Sequence, residues 1–236
     1  MRVQDCNWMQ LEAYLEHDDR IVLPLGSIEQ HGYLSLGVDQ ILSERVSVEA
    51  AEPLGVPVLP ALPYGLTPYF AAYPGSPTLQ RDTYVALVGE LLESLHGQGF
   101  RRILLVNGHG GNDPGRTAAE ELERRHGDAQ ARWHNWWNGP RTWQVVQSID
   151  PEASHASWLE NFPWTRLPGV ELPGGRKAMA DISSMRESDP RDVRELLGDG
   201  SLGGLYERSD DEVLRVWQAG VAEVRELIEG GWRSDG

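Results

Sequence analysis

Three separated stretches of the sequence carry acidic and histidine side chains that could perform chemistry. The first, GSIEQHG, contains Glu29 and His31, and Asp39 follows eight residues after the histidine. Residues two apart in an extended segment point to the same side, so a carboxylate and an imidazole would be presented together. Alternatively, Asp39 caps the next helix while the other two side chains are solvated. Taken alone, the stretch favours that plainer interpretation.

The second stretch, NGHGGN at 107–112, places His109 among glycines directly after an apolar run. Glycines let the backbone turn tightly and approach another group closely. The stretch lacks the two glycine patterns that are typical of phosphate-binding loops. A histidine in the middle of the turn fits a metal ligand better, with a backbone hydrogen bond as the alternative.

The third stretch, SHASWLEN at 154–161, contains His155 and Glu160 and is a weak signal by itself. The three stretches together supply three carboxylates and two imidazoles, a ligand set that suits Zn²⁺, Mn²⁺ or Fe²⁺. Three clustered carboxylates would repel one another, and two divalent ions would remove that repulsion. The candidate metal ligands are Glu29, His31, Asp39, His109 and Glu160.

The elements that must position these side chains alternate between strands and helices. Strands are predicted over 20–26, 55–62, 101–108 and 129–137, and helices over 38–51, over 83–95, from Asp113-Pro114, and from Ser209 to about Ile228. This alternation predicts an α/β fold: one three-layer α/β/α domain over 1–236 with a mainly parallel sheet. Ligands bind beyond the carboxyl ends of such strands, which places the first two stretches at one edge.

Two long stretches, 62–78 and 138–190, show no regular pattern and are rich in Pro, Gly and aromatic residues. Loops of that length are usually functional or contain unrecognised elements. Their aromatic residues could line a substrate pocket, although most of the tryptophans are expected in the core or a subunit interface. The Gly-rich segment 198–204 is either a further pocket loop or a turn before the last helix. The candidate pocket residues are Tyr64, Tyr69, Phe70, Tyr73, Trp136, Trp137, Trp143, Trp158 and Trp164.

Composition narrows the class of protein. The 236 residues carry a net charge of -15, which disfavours binding to nucleic acid or to an anionic membrane surface. No segment approaches the length of a membrane span, and the single cysteine, Cys6, suits a reducing compartment. A soluble cytoplasmic protein is therefore expected.

The joint pattern of GSIEQHG, a downstream Asp, NGHGGN and HASWLE resembles the creatininase (creatinine amidohydrolase) family over roughly 20–205. The family carries G-S-x-E-Q-H-G, N-G-H-x-x-N and H-A-G-x-x-E-T-S in this order. The resemblance implies a parallel α/β fold, a homo-oligomer (hexamers occur in the family) and two divalent metal ions per chain, of zinc, manganese or iron. It also implies hydrolysis of a small amide or a related bond.

By this resemblance, Glu29 and His109 would hold one ion and His31 and Glu160 the other. Asp39 would bridge the two ions, and a water between them would be the nucleophile. His155 matches the family histidine that passes a proton to the leaving group. Since Glu160 contributes at the reacting centre as well, His155 and Glu160 are the predicted catalytic residues.

The chain also departs from the family pattern. The run HGYLSLGVD is one residue shorter than usual and lacks a second histidine, Gly111 replaces a glutamate of creatininase proper, and Ser157 replaces a glycine. These departures predict a divergent member of the family, not creatininase itself. The leading hypothesis from the resemblance is that it opens a small, cyclic amide by hydrolysing a C–N bond. Cleavage of a C–C bond in a cyclic diketone, such as an oxidised inositol (the 3-dehydro-scyllo-inosose type), is the first alternative. A binding protein that has lost the chemistry is the second.

Overall fold

The computed structural model describes residues 1–185 and 188–233, and a parallel sheet lies at its centre. Its strands are β1 (Arg20–Leu25), β2 (Arg102–Asn107) and β3 (Gln130–Asn135), paired in that order. A separate antiparallel pair joins β4 (Arg176–Lys177) to β5 (Gly204–Leu205). The strands predicted over 20–26, 101–108 and 129–137 are thereby confirmed.

The strand predicted over 55–62 is only partly formed. Val58 and Leu62 make isolated parallel bridges to β1. Pro57 and Pro60 lack the amide hydrogen that a continuous ladder requires. The segment therefore follows β1 as an irregular edge.

Eight α-helices are assigned within the described ranges. They are α1 (Trp8–Leu15), α2 (Val38–Ala51), α3 (Arg81–Gln98), α4 (Arg116–Arg125), α5 (Pro140–Ile149), α6 (Ile182–Met185), α7 (Pro190–Leu197) and α8 (Asp210–Glu229). The predictions of α2, α3 and α8 are confirmed, including the capping box of Ser209 and Glu212 that begins α8. The stretch 138–190 contains unrecognised elements, which was one of the two alternatives: α5, β4 and α6 lie within it.

The helix predicted to start at Asp113-Pro114 begins later, at Arg116. Those two residues belong to a 3-10 turn, Gly110–Gly115. The side chain of Asn112 donates to the Gly26 carbonyl at 3.0 Å and accepts from the Leu66 amide at 3.2 Å. The first bond holds the 3-10 turn against the end of β1, and the second holds it against the 62–78 stretch. The α-helix begins after this tethered turn.

Helices cover both faces of the sheet, as predicted. Alternate strand residues point to opposite faces: Val22 and Leu104 pack in a hydrophobic cluster with α2, α5 and α8. Leu23 and Leu105 pack in a second cluster with α1, α3 and α4. Each fully buried leucine contributes about 1.5–3 kcal/mol. The fold is therefore α/β with three layers, and within the described ranges no helix is long and apolar enough to cross a membrane.

Candidate metal centre

The five predicted ligands lie together beyond the carboxyl ends of β1 and β2. Glu29 and His31 follow β1, and His109 follows β2. Asp39 lies in the first turn of α2, and Glu160 ends the 3-10 turn Trp158–Glu160. The first four are buried and Glu160 is partly buried. A parallel sheet thus brings distant parts of the chain to one edge.

Asp39 lies between two groups of side chains. Its Oδ1 is 3.1 Å from Nε2 of His31, and its Oδ2 is 3.0 Å from Nδ1 of His109. Glu29 Oε1 lies 3.2 Å from the same His109 nitrogen, while Glu160 Oε2 lies 3.7 Å from His31 Nε2. Each oxygen of Asp39 therefore faces its own histidine–glutamate pair.

The alternative role of Asp39 as a helix cap is wrong. The N-cap of α2 is Gly37, and no side chain caps the helix there. Asp39 instead points inward, where the Ser27 hydroxyl donates to its Oδ2 at 2.8 Å. The short loop before it is closed by a hydrogen bond from Leu34 N to His31 O at 3.0 Å. The run between His31 and Asp39 thus contains a tight turn.

The donor set fits divalent cations. Possible ligand atoms of Glu29, Asp39 and His109 lie within 4.8 Å of one another, and so do those of His31, Asp39 and Glu160. In the described part of the chain, no group hydrogen-bonds to the buried Glu29 Oε2. Leaving such an atom unpaired is costly, and a bound cation would satisfy it.

Hydrogen bonds to carbonyls orient the two histidines. His31 Nδ1 donates to the Glu29 carbonyl at 3.1 Å, and His109 Nε2 donates to the Leu66 carbonyl at 2.8 Å. The other ring nitrogen, the one that would hold a metal ion, then faces Asp39 in each case. Metal-ligating histidines are typically held in this way.

Strong electrostatic coupling links the side chains. Burial disfavours an imidazolium, yet the charges of Asp39 and Glu160 raise the pKa of His31 to about 10. Burial also opposes the charge of Asp39, but the neighbouring histidines hold the pKa of Asp39 well below its usual value. Burial raises the pKa of Glu160 to about 7. Histidine protons thus balance the carboxylates here, and metal ions would compete with those protons.

His155 lies beside the centre. Its Nδ1 is 3.6 Å from Glu29 Oε1, and its ring stacks on Phe70 with centroids 4.7 Å apart. Burial, together with the positive charge of His31, lowers the pKa of His155 well below its ordinary value. A neutral imidazole therefore faces the cluster, as a group that accepts and returns a proton requires.

The surroundings of Gly111 leave no space for a side chain at this position. A Cβ built on Gly111 would lie 2.0 Å from the Leu66 carbonyl oxygen. The main chain of the 62–78 stretch therefore closes over this position and leaves no room for a side chain. Besides Asp39, the carboxylate that faces His31 Nε2 is that of Glu160.

A cavity of about 1110 Å³ opens onto the centre and includes Glu29, Asp39, His109, His155 and Glu160 in its wall. Four of the predicted pocket residues also line it: Tyr69, Phe70, Trp137 and Trp143. Trp136 and Trp158 are core residues instead, and Tyr64 is exposed outside the cavity wall. Tryptophans thus lie both in the core and in the cavity wall, and a place for any of them in a subunit interface stays a prediction.

Several groups that position the site were missed from the sequence. Ser27 bonds Asp39, and the Leu66 carbonyl orients His109. Gln30 contacts His155. Only Gln30 had a usable signal, since it stands between two candidate ligands.

The chain matches the family model described as creatininase, creatinine amidohydrolase, over residues 4–228. It is 28% identical over 164 residues to the creatinine amidohydrolase of Pseudomonas putida, an alignment that covers 64% of this chain and 63% of the relative. It is 29% identical over 109 residues to the 3-dehydro-scyllo-inosose hydrolase of Thermotoga maritima, covering 45% of this chain and 35% of the relative. The matches span less than two thirds of each of these relatives.

Solved structures share the fold. A creatinine amidohydrolase (creatininase) crystal structure superimposes with a TM-score of 0.80 and 23% identity, covering 96% of both chains. A structure titled "Creatininase Mn" gives a TM-score of 0.78 with 23% identity and covers 97% of both chains. A mutant creatininase described as the Zn-Zn type gives 0.77 with 22% identity, covering 97% of this chain and 96% of the other.

Proposed function

The chain belongs to the creatininase (creatinine amidohydrolase) family, and from this premise we propose that it is a dinuclear metal-dependent hydrolase that opens a small, cyclic amide. The observation that carries the proposal is the position of Asp39. Its two carboxylate oxygens each face a separate histidine–glutamate pair at 3.1 and 3.0 Å from the histidine nitrogens. Carboxylates that bridge two cations have this arrangement of donors.

In this proposal, Glu29 and His109 hold one divalent ion, His31 and Glu160 hold the other, and Asp39 contacts both. Zinc, manganese or iron suits these ligands. Bound there, such ions would supply Lewis acidity and an activated water.

The chain's own residues would supply the proton transfers and the enclosure. His155 would accept a proton at Nδ1 and deliver it to the leaving nitrogen of the amide, since that atom faces the centre. Phe70 restrains the ring by stacking. Trp137 and Trp143 would shield a flat substrate from water in the cavity.

A second candidate is cleavage of a C–C bond in a cyclic diketone. The relative named 3-dehydro-scyllo-inosose hydrolase, 29% identical over 109 residues, favours it. Both reactions use the same centre, so turnover of cyclic amides compared with polyhydroxylated cyclic diketones separates them. A binding protein without chemistry is disfavoured because all five ligands and His155 lie together. A homo-oligomer in the cytoplasm, acting on a small molecule, stays part of the proposal.

The proposal is tested by elemental analysis of the purified protein and of Asp39→Asn. Wild-type protein should hold close to two ions per chain, and Asp39→Asn should lose at least one ion and about 100-fold in kcat. Asp82→Asn is the matched control, because Asp82 also lies in the first turn of a helix but is exposed. Wild-type protein that binds no metal after incubation with each ion, or an Asp39→Asn variant that keeps both ions and full activity, would refute the proposal.

A further inference from the structure

Arg81 is the only lysine or arginine among the described residues that line the cavity at the candidate metal centre. We propose that Arg81 is a specificity-determining residue, which binds a carboxylate carried by the substrate. Since it names the substrate class of the hydrolase proposed above, this inference rests on that proposal. The substrate would be a small, cyclic amide with a carboxylate on an arm that reaches Arg81.

Several other polar side chains in the wall are used to hold the wall itself. The hydroxyls of Thr67, Thr78 and Ser154 each donate to a main-chain carbonyl, at 3.1, 3.1 and 2.6 Å respectively. Gln80 and Asn138 carry exposed amides, which can orient a ligand but supply no charge. Outside the candidate metal centre, the charge that the wall offers to a ligand therefore comes from one arginine.

The guanidinium of Arg81 is available to a ligand. Its side chain is 66% exposed, and its ion-pair partner within 1–185 and 188–233 is Asp82. The two atoms of this pair lie 3.9 Å apart and the Asp82 side chain is 99% exposed, so water and salt screen their attraction. A carboxylate can accept two parallel hydrogen bonds from a guanidinium, a stronger contact than this one.

The backbone of Arg81 is fixed near the candidate metal centre. Arg81 is the first residue of α3, whose buried side chains pack in the core. Two residues earlier, the Leu79 amide donates to the Gly65 carbonyl at 3.0 Å. The carbonyl of the next residue, Leu66, accepts from Nε2 of His109 at 2.8 Å. A short path of hydrogen bonds thus joins Arg81 to His109, and both residues line the same cavity.

The local structure gives Arg81 no other role. A cation in the first turn of a helix is disfavoured by the helix dipole, so Arg81 does not stabilise α3. Arg116 has the same position in α4, but its Nε donates to Asp113 at 3.3 Å and its guanidinium lies over the ring of Trp133. Side chains that break a local rule without such partners are typical of functional sites.

The cavity has room for a substrate with an arm. Its volume of about 1110 Å³ is at the upper end for small-molecule pockets, so a single small ring would fill only part of it. Trp137, Trp143 and Leu202 supply apolar wall, and Leu202 makes the Gly-rich segment 198–204 a pocket loop. The carboxylates of the candidate centre would repel an anion, which favours a substrate carboxylate on the arm, at Arg81.

The test measures the binding of matched ring compounds to the protein as purified. Cyclopentanes with a carboxylate on an arm of zero to three methylene groups are compared with the corresponding carboxamides by calorimetric titration. Wild-type protein should bind at least one carboxylate about 10-fold more tightly than its carboxamide. Arg81→Met should lose this preference. Arg116→Met should keep it, because it removes the same charge from the same helix position outside the cavity wall.

Equal affinities for carboxylate and carboxamide at every arm length, or a preference that Arg81→Met retains, would overturn the inference. Lactams with the same arms separate this result from the hydrolase proposal. Lactams that are opened by protein without a carboxylate preference would overturn the substrate class and leave the hydrolase standing. A preference that depends on Arg81, in protein that opens none of the lactams, would support the substrate class and count against amide hydrolysis alone.

Discussion

Replacing Gly111 by alanine tests whether the orientation of His109 controls metal binding. The new Cβ would lie 2.0 Å from the Leu66 carbonyl oxygen and 2.4 Å from His109 Nε2. These are the two atoms that form the 2.8 Å hydrogen bond which orients His109. The loop must open by at least about 1 Å to restore van der Waals contact, so the hydrogen bond would break.

The expected magnitude follows from these contacts. Forcing a methyl group into a packed site costs about 1–3 kcal/mol, and losing a buried hydrogen bond costs a similar amount. Since the two effects share the same movement, we expect the free energy of unfolding to fall by about 2–4 kcal/mol. Zinc affinity should fall about 10- to 100-fold, because His109 loses the partner that fixes its ring.

The assay is calorimetric titration of the metal-free protein with zinc, together with urea denaturation. Gly110→Ala is the control, because a Cβ at the neighbouring glycine would meet no atom within 4 Å. Its unfolding free energy should stay within about 0.5 kcal/mol of wild type. If Gly111→Ala binds zinc as tightly as Gly110→Ala does, the hydrogen bond to Leu66 does not control His109, and the reasoning fails.

Three further predictions concern stability. Ala156→Gly should raise the free energy of unfolding by about 1 kcal/mol in urea, because Ala156 has a φ of 55°; a loss would contradict this. Glu223→Ala should lower it by about 1–2 kcal/mol in thermal denaturation, since Glu223 accepts from the amide and hydroxyl of Thr142 at the start of α5; an unchanged melting temperature would argue against that cap. Burial raises the pKa of Asp199, but the hydrogen bond from the Lys177 ammonium outweighs burial and holds that pKa below its usual value. This stabilisation is present above about pH 4 and is lost as the pH falls through the lowered pKa, so Lys177→Met should flatten the dependence of unfolding free energy on pH in that window. An unaltered slope in Lys177→Met would contradict the assignment.

The elements predicted correctly are those whose signals are local. The apolar stripe of α3 and the capping box of α8 are contained in the helices themselves. Helix α5 was missed although Pro140 stands at its N1 position, a recognised start signal. Its N-terminus is capped by Glu223, 81 residues away from Thr142, and no local pattern contains that contact.

The candidate ligands could be proposed from the sequence, but the orientation of their side chains could not. Carboxylates and imidazoles in a family pattern can be recognised by residue type, and a parallel sheet brings them to one edge. The Leu66 carbonyl that orients His109 is a main-chain atom, and every residue has one. Its placement depends on how the 62–78 stretch packs, which no residue type reveals. The orientation of the Gln30 side-chain amide depends in the same way on a main-chain atom, the carbonyl of Gly200.

The two hydrophobic clusters on either face of the sheet include none of the five candidate ligands. The energy that holds the layers together is therefore independent of any ion, unlike that of a zinc finger, whose folding free energy is supplied by its metal. Ions bound at the candidate centre would then be released and reloaded without unfolding of the chain. The identity of such an ion would be decided by supply and exchange over the life of the protein, and not by which ion was present when the chain was made.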